Sequence, residues 1–327
     1  MNTKRQQILS WQQSGHIDHE NIEKALAVSE SNHSPPAWFG FISKSILWLS
    51  ILSIAFGVIF FFAYNWDEIS ITLKFGLIQL LMLMSLFTYT QTKTYSHANT
   101  ATLFFMALLI GTLFALFGQT YQTGKDPWQL FLLWTVFVTP LALTSRSSSL
   151  WLLYLGLGNL TLNLYLNVYF GLFGLLFDFN RQILLYALFN ASSAIVFEYF
   201  YASKYQLINN RIAGQVALVI AMTCFSWMAL FFIVESRRSG FDLFLYVLWM
   251  SAIYYLYRIK TIDVMVMASW VVSTIIFALT VIGRVINNDF DGGTFLLFSL
   301  LIIGFSTIGI KWLMSLLQEV KQQGEIS

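Results

Sequence analysis

The chain has 327 residues, of which 57% are hydrophobic and only 10% are charged, and its formal net charge is +2. Soluble domains carry roughly a quarter charged residues, so this composition excludes an ordinary soluble protein and predicts a membrane protein. A net charge this small, with the basic residues spread along the chain, predicts no nucleic-acid partner. The single cysteine, Cys224, excludes an internal disulfide and a thiolate metal site.

Residues 1–42 are polar and are predicted to form a small cytoplasmic helical hairpin followed by a linker. Apolar residues at helical spacing predict a short helix that stops at Gly15, and Asp18 is a candidate N-cap for a second helix. Pro35 and Pro36 predict a break in the helix before the membrane region. The hairpin is interpreted either as packing against its own membrane domain or as a docking element for a partner.

Ten membrane helices are predicted after residue 42, because runs of about 20 apolar residues match a hydrocarbon core of roughly 30 Å. They cover residues 45–64, 71–90, 101–119, 128–145, 149–167, 182–201, 212–233, 241–257, 262–283 and 294–316. The Phe- and Gly-rich stretch 170–179 is too short to span, and it leaves counts of nine or eleven spans open. The predicted fold class is therefore all-α, a polytopic transmembrane helix bundle.

Three regions are predicted along the chain. Residues 1–42 hold the hairpin and linker, residues 43–145 hold the first four spans, and residues 146–327 hold the remaining six spans and a short tail. An N-terminus inside the cell leaves only six of the 18 Lys and Arg residues on the outer side: Lys74, Lys125, Arg181, Arg237, Arg238 and Arg284. The other twelve are then cytoplasmic, so the positive-inside rule predicts that both termini are cytoplasmic.

Polar side chains cluster where the first and third predicted spans end. These candidate binding residues are Asn65, Trp66, Asp67, Glu68, Gln119, Tyr121, Gln122, Asp126 and Trp128. The two spans run in the same direction, so both groups are predicted to emerge at one outer rim. Such polar groups beside aromatic rings could hold a cation, a sugar or a lipid headgroup. The alternative interpretation is interfacial anchoring, since Trp and Tyr are enriched at membrane–water interfaces.

The rim segments also carry a family resemblance. Residues 63–68 read AYNWDE, residues 118–122 read GQTYQ, and residues 126–130 read DPWQL. These stretches resemble the signature motifs of a bacterial membrane family known only as domain of unknown function 2157, and the resemblance covers residues 5–145. It implies an integral protein of the bacterial inner membrane and supplies no activity.

Three amides lie along one face of the fifth predicted span. Asn159, Asn163 and Asn167 are spaced by four residues, which places them about 6 Å apart along the helix axis. Unpaired amides are costly in hydrocarbon, so this face must point into the bundle or into a wet cavity. It is interpreted as interhelical hydrogen bonding or, less favoured, as a lining for a polar permeant.

Three function classes are compatible with these patterns. The first is transport of a small polar or lipid-like solute, although the absence of charged residues from the middle of the spans disfavours carboxylate-driven transport. The second is a structural or regulatory membrane protein that binds partners through the N-terminal hairpin. The third is a membrane enzyme acting at the outer face. Enzymatic activity is left open but is the less favoured interpretation. No cofactor or metal is predicted, because the four histidines are scattered. The predicted partners are the lipid bilayer and, as a candidate ligand, a small polar solute or a lipid headgroup, and the oligomeric state is left open.

Overall fold

The computed structural model describes residues 4–18, 21–22, 35–64, 69–121, 126–168, 179–235, 240–286 and 292–326. Within these ranges the chain is helical and contains no β-strand. The helices are α1 (Lys4–Gln13), α2 (Pro35–Tyr64), α3 (Ile71–Gln91), α4 (His97–Tyr121), α5 (Pro127–Ser145), α6 (Ser148–Val168), α7 (Phe179–Ala202), α8 (Ile212–Val234), α9 (Phe241–Tyr254), α10 (Val264–Ile286) and α11 (Gly292–Ile326). A π-helical turn, Tyr255–Lys260, continues α9.

Each of the ten predicted spans coincides with one of the helices α2 to α11. Seven of the described helices, namely α3, α4, α5, α7, α8, α10 and α11, are long and apolar enough to cross a membrane. Large apolar side chains such as Phe87, Ile195 and Phe295 are exposed, as expected where the surrounding solvent is lipid. The predicted class, an all-α multi-pass membrane protein, is confirmed, whereas the count of ten spans stays a prediction.

The start of α2 corrects one expectation. Pro35 and Pro36 occupy the first turn of α2, which therefore begins ten residues before the predicted span, so residues 35–42 are helix rather than linker. The residues just before Pro35, where a preceding helix would end, lie outside the described ranges. Proline is tolerated there because the first backbone N–H groups of a helix have no partner within the helix. The predicted short helix is present as α1, and Gly15 comes after it with a φ of +76° that favours glycine. The second hairpin helix falls on residues that lie largely outside the described ranges.

The chain divides into two compact units, residues 1–109 and residues 110–327. In the first unit, α3 and α4 are joined by side-chain hydrogen bonds to the backbone. Ser85 Oγ donates to the Thr102 carbonyl at 3.1 Å, and Asn99 Nδ2 donates to the Tyr89 carbonyl at 3.2 Å. The predicted domain boundaries at residues 42 and 145 differ from this division and stay predictions.

In the second unit, α8 is the central helix and packs against α6, α7, α9 and α10. Its buried face includes the small residues Ala213, Gly214, Ala217 and Ala221, which allow the backbones of neighbouring helices to approach closely. By contrast, α11 packs along one side of α10. The unit therefore has a close-packed centre around α8, with α11 at one edge and α5, which packs on α6, at another.

Hydroxyl groups inside this unit are paired with one another. Ser226 Oγ on α8 lies 2.7 Å from Ser273 Oγ on α10, and Tyr246 Oη on α9 lies 3.0 Å from the same Ser273 oxygen. Polar groups in the hydrocarbon region must find partners within the protein, so this contact also fixes the register of the three helices.

Candidate functional site

Part of the amide face predicted on the fifth span, which is α6, contacts α7. Asn159 Nδ2 donates to Asn190 Oδ1 at 3.1 Å, and Asn190 Nδ2 donates to Asn159 Oδ1 at 2.7 Å. Each amide also donates to the carbonyl four residues earlier in its own helix, Leu155 or Tyr186. Asn190 is fully buried, so the pair is a closed contact between α6 and α7.

The other two amides of this face are exposed. Tyr186 Oη on α7 donates to Asn163 Oδ1 at 3.0 Å, and Asn167 Nδ2 lies 3.4 Å from the same oxygen. The face thus passes from the half-buried Asn159, paired with the buried Asn190, to exposed amides at Asn163 and Asn167. A role of these amides in passing a polar solute stays a prediction.

The predicted outer rim is described only in part. Asn65, Trp66, Asp67, Glu68 and Gln122 lie outside the described residues. Gln119 and Tyr121 are exposed at the end of α4, whereas Asp126 and Trp128 are half-buried at the start of α5.

One rim residue contacts the amide-bearing helix. The Trp128 ring packs edge-on against Tyr165 of α6, with ring centroids 4.9 Å apart. The structure therefore brings Trp128 beside the helix that carries Asn163 and Asn167. Assembly of the whole rim into one binding site stays a prediction.

A cluster of polar and charged side chains, which was not predicted from the sequence, lies near the end of α7 and the starts of α8 and α10. We call it the Arg211 cluster, and it consists of Glu198, Arg211, Gln215, Tyr257 and Asp263. Arg211 donates to Glu198 Oε1 through Nη2 at 2.9 Å and through Nε at 3.2 Å. Its Nη1 lies 3.3 Å from Asp263 Oδ2, which also accepts from Gln215 Nε2 at 2.8 Å. The guanidinium lies over the Tyr257 ring, 5.7 Å from its centroid.

Asp263 has a second role in this cluster as the cap of α10. Its Oδ1 accepts from the backbone N–H groups of Met265 and Val266 at 3.1 and 3.2 Å. These two N–H groups have no partner within the helix, and an Asp side chain before the first turn satisfies them. The carboxylate is buried, with its side chain only 5% exposed, so both oxygens need the partners that they have.

The charge state of the cluster is set by these contacts. Burial disfavours the charged form of Arg211, but the hydrogen bonds and negative charge of Glu198, together with the charge of Asp263, outweigh it and raise the pKa of the guanidinium. Arg211 is therefore a permanent cation between two carboxylates. The cluster joins the ends of α7, α8 and α10 and the π-helical turn.

A second ion pair continues this connection to α11. Arg258 in the π-helical turn faces Glu319, with Nη1 3.1 Å from Oε2 and Nη2 3.3 Å from Oε1. The side chains are 27% and 42% exposed, so the pair lies closer to the surface than the Arg211 cluster. The geometry is a two-pronged Arg–carboxylate contact, the arrangement in which guanidinium recognises planar anions.

An apolar groove runs between α10 and α11. It has a cavity volume of about 290 Å³ and is lined by Trp270, Val271, Thr274, Ile275, Ala278, Phe305, Ile308, Gly309 and Trp312. At one end the rings of Trp270 and Trp312 lie 6.1 Å apart, and Tyr254 packs on Trp270 at 5.4 Å. At Gly309 a Cβ atom would come within 2.6 Å of Val271 Cγ1, so α11 approaches α10 closely at a position that has no side chain. We call this feature the α10–α11 groove.

Fold and site together define a multi-pass α-helical membrane protein whose second unit carries an ionic cluster at one end and an apolar groove along one side. Over the part of the chain that the structure covers, no group of three or more His, Cys, Asp or Glu residues could hold a metal ion. Residues 9–151, less than half of the chain, match the family described as predicted membrane protein (DUF2157). The resemblance expected from the rim motifs is thus confirmed over that range. No curated protein and no solved structure matches the chain.

Proposed function

We propose that this protein binds a lipid-like amphiphile in the α10–α11 groove and moves it across the membrane. The observation that carries the proposal is the groove itself. Apart from the Thr274 hydroxyl, which is bonded to the Trp270 carbonyl of its own helix, its lining side chains are apolar or tryptophan. A groove of this character on a membrane helix is suited to a hydrocarbon chain rather than to a hydrated solute.

The dimensions support a lipid chain within one leaflet. The groove extends along α10 from Trp270 to Ala278, eight residues or about 12 Å at 1.5 Å per residue. This is somewhat less than half of a hydrocarbon core of roughly 30 Å. Trp270 and Trp312 lie at the end nearer the predicted cytoplasmic surface, where amphipathic rings favour the headgroup level. The occupant would therefore enter from the cytoplasmic leaflet.

The amides of α6 favour this choice over a polar solute. The Asn159 amide and its Asn190 partner use their hydrogen-bonding groups on each other and on their own helices, which leaves little for a permeant in that contact. As part of the same proposal, the protein lies in the inner membrane of a bacterium with both termini in the cytoplasm. The twelve-to-six division of Lys and Arg supports this orientation.

The test uses vesicles that contain the purified full-length protein. Exchange of a fluorescent phospholipid between leaflets would be followed by chemical quenching of the outer leaflet. Ala278→Trp fills the groove, whereas Ile276→Trp adds the same ring at a neighbouring position of α10 that is already 43% exposed. We expect exchange with the wild type and Ile276→Trp, and loss of exchange with Ala278→Trp. Equal exchange by both variants, or none by the wild type, would refute the proposal.

A further inference from the structure

We infer that the occupant of the α10–α11 groove is a phospholipid with a net negative headgroup, whose phosphate is bound by Arg258. This inference rests on the groove binding in the proposed function, and it adds the chemical class of the ligand and the residue that selects it. It does not depend on whether the lipid is also moved between leaflets.

The position of Arg258 relative to the groove is the first support. Glu319, its partner, lies seven residues after Trp312 on α11, so both are on one helix face and about 10 Å apart along the axis. On the other side, Tyr254 of α9 packs on Trp270, and Arg258 comes four residues after Tyr254. The groove therefore continues from an apolar cleft through three aromatic rings to a guanidinium. A phospholipid has the same order, with acyl chain, interfacial glycerol and phosphate.

The unused hydrogen-bonding capacity of Arg258 is the second support. A guanidinium has five N–H donors, and Glu319 engages Nη1 and Nη2. Within the described ranges no other side chain or carbonyl accepts from Arg258. The remaining donors are available to a phosphate oxygen, and Arg binds phosphate through paired N–H groups.

The charge around this end of the groove is the third support. Lys260 in the π-helical turn and Lys311 beside Trp312 are exposed, and neither has a carboxylate within ion-pair distance in the part of the chain that the structure describes. Arg258, Lys260 and Lys311 thus stand against Glu319, while Arg211 faces the two carboxylates of its own cluster, so these described side chains together carry a net charge of +1. This balance favours an anionic headgroup over a zwitterionic one.

Two substitutions separate headgroup binding from a purely structural ion pair. Arg258→Gln removes the phosphate donor, whereas Glu319→Gln removes a competitor for it. If the pair only holds α11 in place, both changes act in the same direction. If Arg258 binds phosphate, they act in opposite directions on the affinity for an anionic lipid.

The experiment measures lipid retention by the full-length protein in detergent with native mass spectrometry. Dioleoyl phosphatidylglycerol is the anionic probe, and dioleoyl phosphatidylcholine is the zwitterionic one. We expect Arg258→Gln to weaken phosphatidylglycerol binding roughly fivefold, the effect of one cation near the headgroup, and Glu319→Gln to strengthen it. Phosphatidylcholine carries the same phosphate without a net charge, so its binding should change in the same directions but by less. Lys204→Gln, an exposed cation in the α7–α8 loop, is the matched control and should leave both affinities unchanged.

The groove variant Ala278→Trp makes the two possible failures distinguishable. If Ala278→Trp abolishes retention of both lipids while Arg258→Gln and Glu319→Gln change neither affinity, the groove stands and the anionic headgroup assignment is refuted. If both charge variants weaken both lipids equally, the assignment is also refuted. If Ala278→Trp leaves retention unchanged, the proposed function itself falls.

Discussion

Asn159 and Asn190 exchange two side-chain hydrogen bonds across the α6–α7 contact, with N···O distances of 3.1 and 2.7 Å. Neither amide could be replaced alone without leaving the other with an unmet donor and acceptor in the interior. Because the cost of an unpaired buried polar group exceeds the net gain from one hydrogen bond, the two positions are energetically coupled.

Asn190→Leu is therefore expected to destabilise the protein by about 1–2 kcal/mol, since it leaves the Asn159 amide without its partner. The double variant Asn159→Leu/Asn190→Leu should recover most of that loss, because no unpaired amide remains. Thermal unfolding in detergent, analysed as a double-mutant cycle, measures the coupling. Asn167→Leu, at an exposed position on the same helix, is the control and should have little effect. Strictly additive losses at positions 159 and 190 would contradict the coupling.

Arg211→Met is expected to destabilise the second unit by about 2 kcal/mol. It leaves Glu198 and the buried Asp263 without their cation, although Asp263 keeps Gln215 and two backbone N–H groups. The figure is below that for a fully buried pair because the side chains of Arg211 and Glu198 are about a quarter exposed. Lys204→Met removes an exposed cation from the same loop and should cost almost nothing. A similar loss in both variants would show a general charge effect instead.

The pH dependence of the Arg211 contribution has a defined sign. The pKa of the Arg211 guanidinium is raised in the folded protein. Its contribution to folding stability is therefore complete below the pKa of the unfolded state and is lost only as the pH rises through the pKa of the folded state. Both values lie far above neutral pH. The stability difference between wild type and Arg211→Met should therefore not decline between about pH 7 and about pH 9. A decline on raising the pH over this interval, measured by thermal unfolding, would contradict a permanently charged Arg211.

Gly309→Ala is expected to destabilise the α10–α11 contact by about 1–3 kcal/mol, the range for overpacking a close contact. The added Cβ would lie 2.6 Å from Val271 Cγ1, and the β-branched Val271 has few alternative rotamers with which to give way. Gly304→Ala on the same helix has open space around its Cβ and serves as the control. Thermal unfolding of both variants in detergent compares them. Equal stability of the two variants would mean that α11 shifts freely on α10.

Gly111→Ala makes a corresponding prediction for the contact between α4 and α5. The added Cβ would overlap the ring of Trp134, so the ring or the helix must move. We expect a lower melting temperature than in the wild type, and no such change for Gly156→Ala, whose Cβ meets open space on α6. If Gly111→Ala melts as the wild type does, Trp134 has an alternative position.

Hydropathy sufficed to locate the helices, because lipid imposes long apolar runs and expels charges to their ends. It misplaced the start of α2, since Pro35 and Pro36 permit a first helical turn as well as they end a preceding helix. The four-residue spacing predicts that Asn159, Asn163 and Asn167 share one side of α6, and Asn159 and Asn163 both contact α7. Their partners Asn190 and Tyr186 could not be inferred, since spacing within one helix does not say which helix lies opposite.

The Arg211 cluster was missed for a related reason. Its members come from segments between residues 198 and 263, and each one alone resembles an ordinary charge at a helix end. One signal was available: Asp263 immediately precedes an apolar helical run, as an N-cap does. That signal predicts the cap but not the salt bridge to Arg211. The α10–α11 groove, formed by side chains of two helices, left no comparable pattern.

In the π-helical turn Tyr255–Lys260, the number of residues matters more than their types. The Thr261 N–H donates to the Leu256 carbonyl five residues earlier, at 2.9 Å, where an α-helix would use the carbonyl four residues earlier. A π-helical turn holds one residue more than the α-helical turn it replaces, so deleting Tyr255 would let the turn close as an α-helix with Arg258 still near the side that meets Glu319. Inserting one residue into the α-helical part of α9 would instead rotate the turn by about 100° and carry Arg258 away from Glu319. A single-codon insertion would thus break the ion pair to α11 where a deletion would not, although both leave every charge in the sequence.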